Sequence, residues 1–199
     1  MKYEDGVKRL AEYREKIATI RSEMRDVQNA IEPREVENYA FSTPLGAVRL
    51  ADLFGDKKDL FMIHNMGSGC PYCTLWADGF NGIYDHLANR AAFVVSSPDE
   101  PAAQERFAKT RGWRFRMVSH AGSSFAEDMG YRAEKGGWLP GTSVFRRDGG
   151  RPAPGIVRVA NTGFGPEDDF CVLWPLLALL PEGADSWSSK FSYAQGRNA

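Results

Sequence analysis

Between residues 59 and 120 the chain alternates two kinds of hydrophobic pattern. "DLFMIHNM" (59–66), "AAFVVSS" (91–97) and "WRFRMVSH" (113–120) are short apolar runs, the first bounded by Asp59 and Gly67. "TLWADGFNGIYDHLANR" (74–90) and "PDEPAAQERFAKTRG" (98–112) are longer and carry helical spacing. Short buried strands separated by helices of this size form βαβ units, because neighbouring strands that run the same way need a long crossover. The expected fold class is therefore α/β, a central sheet flanked by helices. Two flanking stretches make the sheet mixed. "NYAFSTPLGAVRLADLFG" (38–55) reads as a hairpin around Pro44-Leu45-Gly46, and "GTSVFRRDGG" (141–150) as a strand entering an antiparallel turn at Asp148-Gly149. "GFGPEDDFCVLWPLLALL" (163–180) reads as a last helix with Pro166 in its first turn and Pro175 kinking or splitting it.

A chain of 199 residues that is 43% hydrophobic supports one substantial core. Its 25 Lys and Arg against 26 Asp and Glu produce no basic field, so neither nucleic acid nor an anionic membrane is an expected partner. No apolar run is long enough to span a bilayer, and "MKYEDGVKRLAEYREK" is charged throughout, which leads to the expectation of a soluble cytoplasmic protein. Val7, Leu10, Ile17, Ile20, Met24, Val27 and Ile31 recur at steps of three and four along an otherwise charged N-terminal segment that Pro33 ends. They form a narrow stripe that must be covered, either by the chain's own domain or by a twin helix in a homodimer. The expected organisation is an N-terminal amphipathic helix over 1–32, one domain over 33–183, and a loosely held tail over 184–199.

The chemistry centres on "SGCPYCT", residues 68–74. Three cysteines are too few for a disulfide scaffold, and in a reducing compartment a close pair is more plausibly catalytic or metal-binding. The pair lies between a buried strand and a helix, with Gly67, Ser68 and Gly69 forming the turn and Pro71 suited to the first helical position. Cys70 then sits at a helix N-terminus, where free N–H groups and the dipole stabilise a thiolate. Cys73, one turn further on the same face, can attack the mixed disulfide that Cys70 forms. A metal site would need two more ligands. Only His64, His86, His120 and Cys171 could supply the softer ones, and none shows finger-like spacing, so no metal and no other cofactor is expected.

The order hairpin, strand, Cys-Pro-Tyr-Cys, helix, strand, helix, strand, proline and strand resembles the thioredoxin superfamily. "LGAVRLADLFGDKKDLFMIHN" is similar to the opening of its peroxiredoxin-like branch. "GCPYCTLWADGF", "RGWRFRMVSHAGSSFAEDMGY" and "PGTSVFRRDGG" resemble a bacterial thioredoxin-like family known only as a domain of unknown function, over roughly residues 33–180. The resemblance implies a thioredoxin-like fold with an N-terminal helical extension, and it implies dithiol chemistry at Cys70 and Cys73, with Pro71 and Tyr72 shaping the motif between them. Cys-Pro-Tyr-Cys is also the dithiol signature of glutaredoxins, whose glutathione-binding segment has no clear counterpart here.

Further roles follow from the same resemblance. Pro140, in "LPGTSVF", stands where the superfamily places a cis-proline facing the dithiol. His64, six residues before Cys70, occupies the position of a buried acid that takes the proton of the resolving cysteine; a packed core histidine is the alternative reading. Trp76 either walls the active-site groove or packs in the core. Peroxiredoxin-type peroxidase chemistry needs a threonine three residues before the attacking cysteine, and that position is Gly67. Cys171 belongs to an apolar face and reads as core filler, while His86 and His120 read as surface residues. Two functions remain: a thiol–disulfide oxidoreductase acting on an unknown disulfide substrate with an unknown thiol reductant, or a non-catalytic binding module or redox sensor on the same scaffold.

Overall fold

The computed structural model describes residues 1–148 and 155–193. The chain divides into two compact units, Met1–Pro33 and Arg34–Ala199.

The first unit is one helix, α1 (Tyr3–Ala30), with Glu4 and Asp5 in its first turn. It stops short of Pro33, which disfavours helical geometry at the preceding residue. None of its residues is buried. Its apolar positions fall into heptads: Leu10, Ile17, Met24 and Ile31 recur at every seventh residue, as do Tyr13, Ile20 and Val27.

The second unit carries an eight-stranded mixed sheet. Its strands are β1 (Arg34–Val36), β2 (Ala40–Thr43), β3 (Gly46–Arg49), β4 (Asp59–His64), β5 (Ala92–Ser97), β6 (Arg116–Ser119), β7 (Gly141–Asp148) and β8 (Gly155–Gly163), in the order β1-β8-β7-β4-β5-β6-β2-β3. β4, β5 and β6 are parallel; β7 pairs antiparallel with β4 and β8, and β2 with β3. The thioredoxin-like α/β expectation holds. The turn after Asp148, at Gly149, lies outside the described residues, although β7 and β8 pair as the expected hairpin.

Helices α2 (Pro71–Gly82) and α3 (Tyr84–Arg90) connect β4 to β5, α4 (Pro101–Arg111) connects β5 to β6, and the short α5 (Phe125–Asp128) lies between β6 and β7. The helical pattern over 74–90 is thus two helices, broken at Ile83 directly after Gly82, a residue that weakens helix interiors. Side chains alternate across β4 and β5. Leu60, Met62 and Val94 join a core with Phe54, Phe125 and Phe145, whereas Ile63, Phe93 and Val95 join a second core with Trp76, Ala77 and Phe80 of α2.

Three readings are corrected. The helix expected over 163–180 is only α6 (Leu173–Leu177), because β8 extends through Gly163 and Pro166 removes an N–H donor from the stretch that follows. Pro175 is tolerated within the first turn of α6, where no intrahelical partner is due. The tail expected to be loose is held as far as Tyr193: Trp187 packs edge-on against Trp174, and the buried Ser189 hydroxyl donates to the Pro71 carbonyl at 2.9 Å. Finally, His120 is not at the surface but only 2% exposed. The segment Arg132–Trp138 folds back on itself and sets Trp138 against the His120 ring at 4.7 Å, while Ser96 Oγ meets its Nδ1 at 2.8 Å. Among the described residues no helix is long and apolar enough to cross a membrane.

Candidate active site

β4 ends at His64, and the chain turns through Asn65–Gly69 before α2 begins at Pro71. The turn depends on Gly67, whose φ of +109° is a backbone region that L side chains rarely adopt. Asn65 Oδ1 accepts from Gly67 N–H at 2.8 Å, and Cys70 N–H donates to the Gly67 carbonyl at 3.1 Å. Cys70 emerges as the residue that caps α2. Its sulfur accepts the backbone N–H of Cys73 at 3.1 Å, the role that a serine or aspartate oxygen usually fills. Thr74 returns to the Cys70 carbonyl through both its N–H (3.1 Å) and its hydroxyl (3.0 Å), which ties the cap to the first turn.

The two thiols are chemically unequal. Cys70 is half-buried, Cys73 is 3% exposed, and no disulfide joins them. A hydrogen bond from the Cys73 thiol brings the Cys70 pKa down to about 6, helped by the backbone N–H groups of Cys73 and Tyr72 and opposed by burial. The same bond, with burial, pushes the Cys73 thiol up far above its ordinary range; only the Met66 N–H, 3.4 Å from its sulfur, works the other way. At neutral pH the site therefore holds a thiolate that is partly open to solvent and a thiol protected behind it.

The motif's own residues bracket this pair. Pro71 takes the first helical position and, through its carbonyl, receives Ser189. Tyr72 stacks on Trp174 with ring centres 6.2 Å apart. Trp76 is a core residue: it is 3% exposed, and its indole N–H donates to Asp168 at 3.3 Å. Cys171 also packs in that core, its thiol pushed up by burial, as a small apolar residue would be placed.

Pro140 leads into β7 beside the end of β4, where Gly141 stands opposite His64. The cis geometry implied for Pro140 is not found, since among the described residues every peptide bond is trans. Gly141 is required there, because a Cβ would run into the Tyr131 ring and the Thr162 carbonyl. His64 likewise differs from its expected use. Strand alternation carries its side chain to the face opposite Ile63 and α2, where it stacks on Tyr131 at 3.7 Å and Phe125 at 5.3 Å. Its Nε2 lies 3.0 Å from Ser143 Oγ rather than by a thiol. Burial, followed by repulsion from His120 and Arg158, holds its pKa well below the usual value, so the ring is neutral. His86 is exposed as expected. Among the described residues no group of three or more His, Cys, Asp or Glu side chains is arranged to hold a metal.

One acidic residue at the site was not singled out from the sequence. Asp99, in the loop from β5 to α4, accepts the Ser68 N–H at 2.7 Å and thereby touches the turn that presents Cys70. Its signal was present in "SSPDEP": in a parallel sheet, residues just beyond the C-terminal ends of neighbouring strands share one edge, and that edge is where α/β sites form.

Residues 6–196 match the family described as a bacterial protein of unknown function (DUF899). No curated protein sequence matches the chain significantly. Solved structures similar in fold include peroxidoxin BcpB from Mycobacterium tuberculosis, at TM-score 0.51 and 24% identity over 57% of this chain and 77% of that one. A cysteine-to-serine mutant of PrxQ from Xylella fastidiosa aligns at TM-score 0.55 and 15% identity, covering 66% and 84%, and reduced Prx3 from Vibrio vulnificus at 0.54 and 15%, covering 69% and 89%. At these identities the likeness shows the fold alone, a thioredoxin-like fold of the kind these peroxiredoxins share.

Proposed function

The chain belongs to that bacterial family (DUF899), and within it we propose that this protein is a thiol–disulfide oxidoreductase of a reducing compartment such as the cytoplasm, with Cys70 attacking and Cys73 resolving. One observation carries the reading: Cys70 sulfur, at the cap of α2, accepts hydrogen bonds from the Cys73 thiol and from the Cys73 N–H at 3.1 Å, which makes it the acidic, accessible member of a pair separated by one helical turn. In the forward step the Cys70 thiolate attacks one sulfur of a substrate disulfide, forming a mixed disulfide and releasing the other sulfur as a thiolate. Cys73 then loses its proton, displaces the substrate's remaining sulfur, and leaves a Cys70–Cys73 disulfide and a fully reduced substrate. A dithiol reductant returns the pair to its starting state. Its hydrogen bond to the Cys70 thiolate, with burial, keeps Cys73 protonated until the mixed disulfide removes the negative charge on Cys70, so the order of the two attacks is built into the site.

The peroxiredoxin-like fold invites a peroxidase reading, but Gly67 speaks against it. A Cβ there would come within 3.0 Å of Asp99 Oδ1, on a backbone with φ of +109°. The threonine that peroxidase chemistry needs at this position would strain the turn that presents Cys70. The test is capture. Cys73→Ser should accumulate mixed disulfides through Cys70 that mass spectrometry can identify, and the wild type with dithiothreitol should reduce a model protein disulfide. If neither happens, the oxidoreductase reading gives way to a binding module or redox sensor.

A further inference from the structure

The geometry points to Asp99 as a positioning residue for the attacking cysteine: a carboxylate from the neighbouring β5–α4 loop that holds the Gly67–Gly69 turn in the shape that lets Cys70 cap α2. The inference rests on the dithiol reading for its functional meaning. Its structural basis is independent of that reading.

Three observations meet at this residue. Asp99 Oδ2 accepts the Ser68 N–H at 2.7 Å and so ties the turn to a different part of the chain, whereas the Asn65 side-chain and Cys70 bonds to Gly67 are local. The carboxylate also lies directly against Gly67, where it occupies the space that a side chain would need: a Cβ would be 3.0 Å from Oδ1 and 3.3 Å from Oδ2. Thirdly, Asp99 is itself braced from behind. Its N–H donates to Ser97 Oγ at 3.3 Å, and Ser97 Oγ donates to its Oδ2 at 3.4 Å. Ser97 Oγ in turn receives the Gln104 amide at 2.8 Å, and that same amide, on a side chain 2% exposed, reaches the Val118 carbonyl at 3.0 Å. A chain of polar contacts, buried at Gln104 and Ser97 and part-buried at Asp99, thus runs from α4 and β6 to the residue two before Cys70.

A negative charge beside a thiolate turn is an electrostatic cost, and among the described residues no lysine or arginine pairs with Asp99 to cancel it. On the β6 side Asp99 acts electrostatically on His120, whose pKa, lowered to about 4 by burial and partly restored by Asp99, keeps it neutral above pH 5. The charge is tolerated because its hydrogen bond does something a neutral loop would not: it fixes the Ser68 peptide and so the entry angle of α2. The Cys73 N–H then points at Cys70 sulfur, and the thiolate gains its strongest backbone donor. The sequence feature that excludes a threonine at position 67 is the same one that admits this carboxylate.

The prediction separates anchor from charge. Asp99→Ala removes both and should raise the midpoint of the pH profile for Cys70 alkylation by about one unit, roughly halving the rate at pH 7. Asp99→Asn keeps an oxygen for the Ser68 N–H and loses only the charge, so its midpoint should stay at or slightly below the wild-type value. Ser97→Ala, which removes the brace and leaves the carboxylate, should raise the midpoint by a smaller step and covers the case in which Asp99→Ala does not fold. An unchanged midpoint in Asp99→Ala, an upward shift in Asp99→Asn equal to that of Asp99→Ala, or no shift in Ser97→Ala where Asp99→Ala cannot be measured would each overturn the assignment. A wild-type midpoint near 9 would instead sink the oxidoreductase reading, and the comparison among variants, which needs no substrate, would still decide the role of Asp99.

Discussion

Two pairs of titratable side chains stand at the same end of the parallel strands, and their surroundings drive them in opposite directions. Cys70 and Cys73 sit on the α2 face, with the Cys73 thiol and backbone N–H groups donating to Cys70 sulfur, and the pair divides into one easily ionised thiol and one protected thiol. His64 and His120 sit across the sheet among Tyr131, Phe125 and Trp138, and both are held neutral. Each histidine has one ring nitrogen on a serine hydroxyl, from Ser143 or Ser96, and the other, His64 Nδ1 or His120 Nε2, without a protein partner among the described residues. Both histidines and Cys73 are removed from water, and Cys70 is half-buried. What separates them is whether donors aimed at the charged form outweigh the cost of burial. That contrast accounts for placing the chemistry on the cysteines and leaving the histidines as core residues.

The largest effect expected on the cysteine side is in turnover. Cys70→Ser should reduce disulfide exchange to background, whereas Cys73→Ser should keep the first attack and lose release, visible as stoichiometric mixed disulfide on a non-reducing gel. Comparable loss without trapped adducts in both variants would break the proposed inequality of the two thiols.

On the histidine side the expected effect is in stability. His120 has its pKa pushed down to about 4 from an ordinary 6.5, so below pH 6.5 the unfolded chain takes up a proton that the native protein refuses. Stability is complete above pH 6.5 and falls as the pH drops towards 4. One such group accounts for about 3 kcal/mol over that window at about 1.4 kcal/mol per unit, and His64 adds in the same direction. Urea titrations at pH 7 and pH 4.5 measure it, and His120→Gln should flatten the difference. A slope unchanged in that variant would mean that the acid sensitivity belongs elsewhere.

Gly67 joins the two arguments, because its backbone sets the thiol turn. Gly67→Thr should cost about 2 kcal/mol in denaturant midpoint analysis through strain at positive φ and should confer no peroxide reduction. A stable variant with peroxidase activity would show that the fold's peroxiredoxin-like relatives are the better guide to function. The smallest effect on chemistry is expected from α1. Its heptads are proposed to pair with those of a second copy, so a chain starting at Pro33 should scatter light with about half the mass of the full chain while its exchange rate stays the same. Equal masses would withdraw the proposed dimer and leave the chemistry untouched.

Much of the dithiol side was legible in the sequence, because the determinants are local. A buried strand, a glycine turn, Cys70 and Pro71 follow one another within a dozen or so residues, and each acts on its immediate neighbours. The histidine side was not, since it depends on contacts between distant segments. His120 follows a strand in a stretch that looks solvated, and it is buried where Trp138 returns against its ring and Ser96 meets its Nδ1. His64 lies at the right distance along the chain to serve Cys73, but strand alternation turns it to the other face, an outcome set by which of Ile63 and His64 meets α2. Asp99 was hidden for the same reason, being 29 residues from Cys70 in sequence and in contact with its turn through one hydrogen bond. The last helix was over-read because a leucine-rich run has helical periodicity whether or not prolines and an extended β8 leave room for it.

The account rests on Cys70 being a thiolate at neutral pH, and its ionisation can be measured directly in the wild-type protein. The rate of alkylation at Cys70, followed by peptide mass spectrometry between pH 4 and 10, should rise with a midpoint of about 6 and level off by pH 7, with Cys73 and Cys171 unmodified in the same samples. A midpoint near 9, or modification of Cys73 ahead of Cys70, would contradict it.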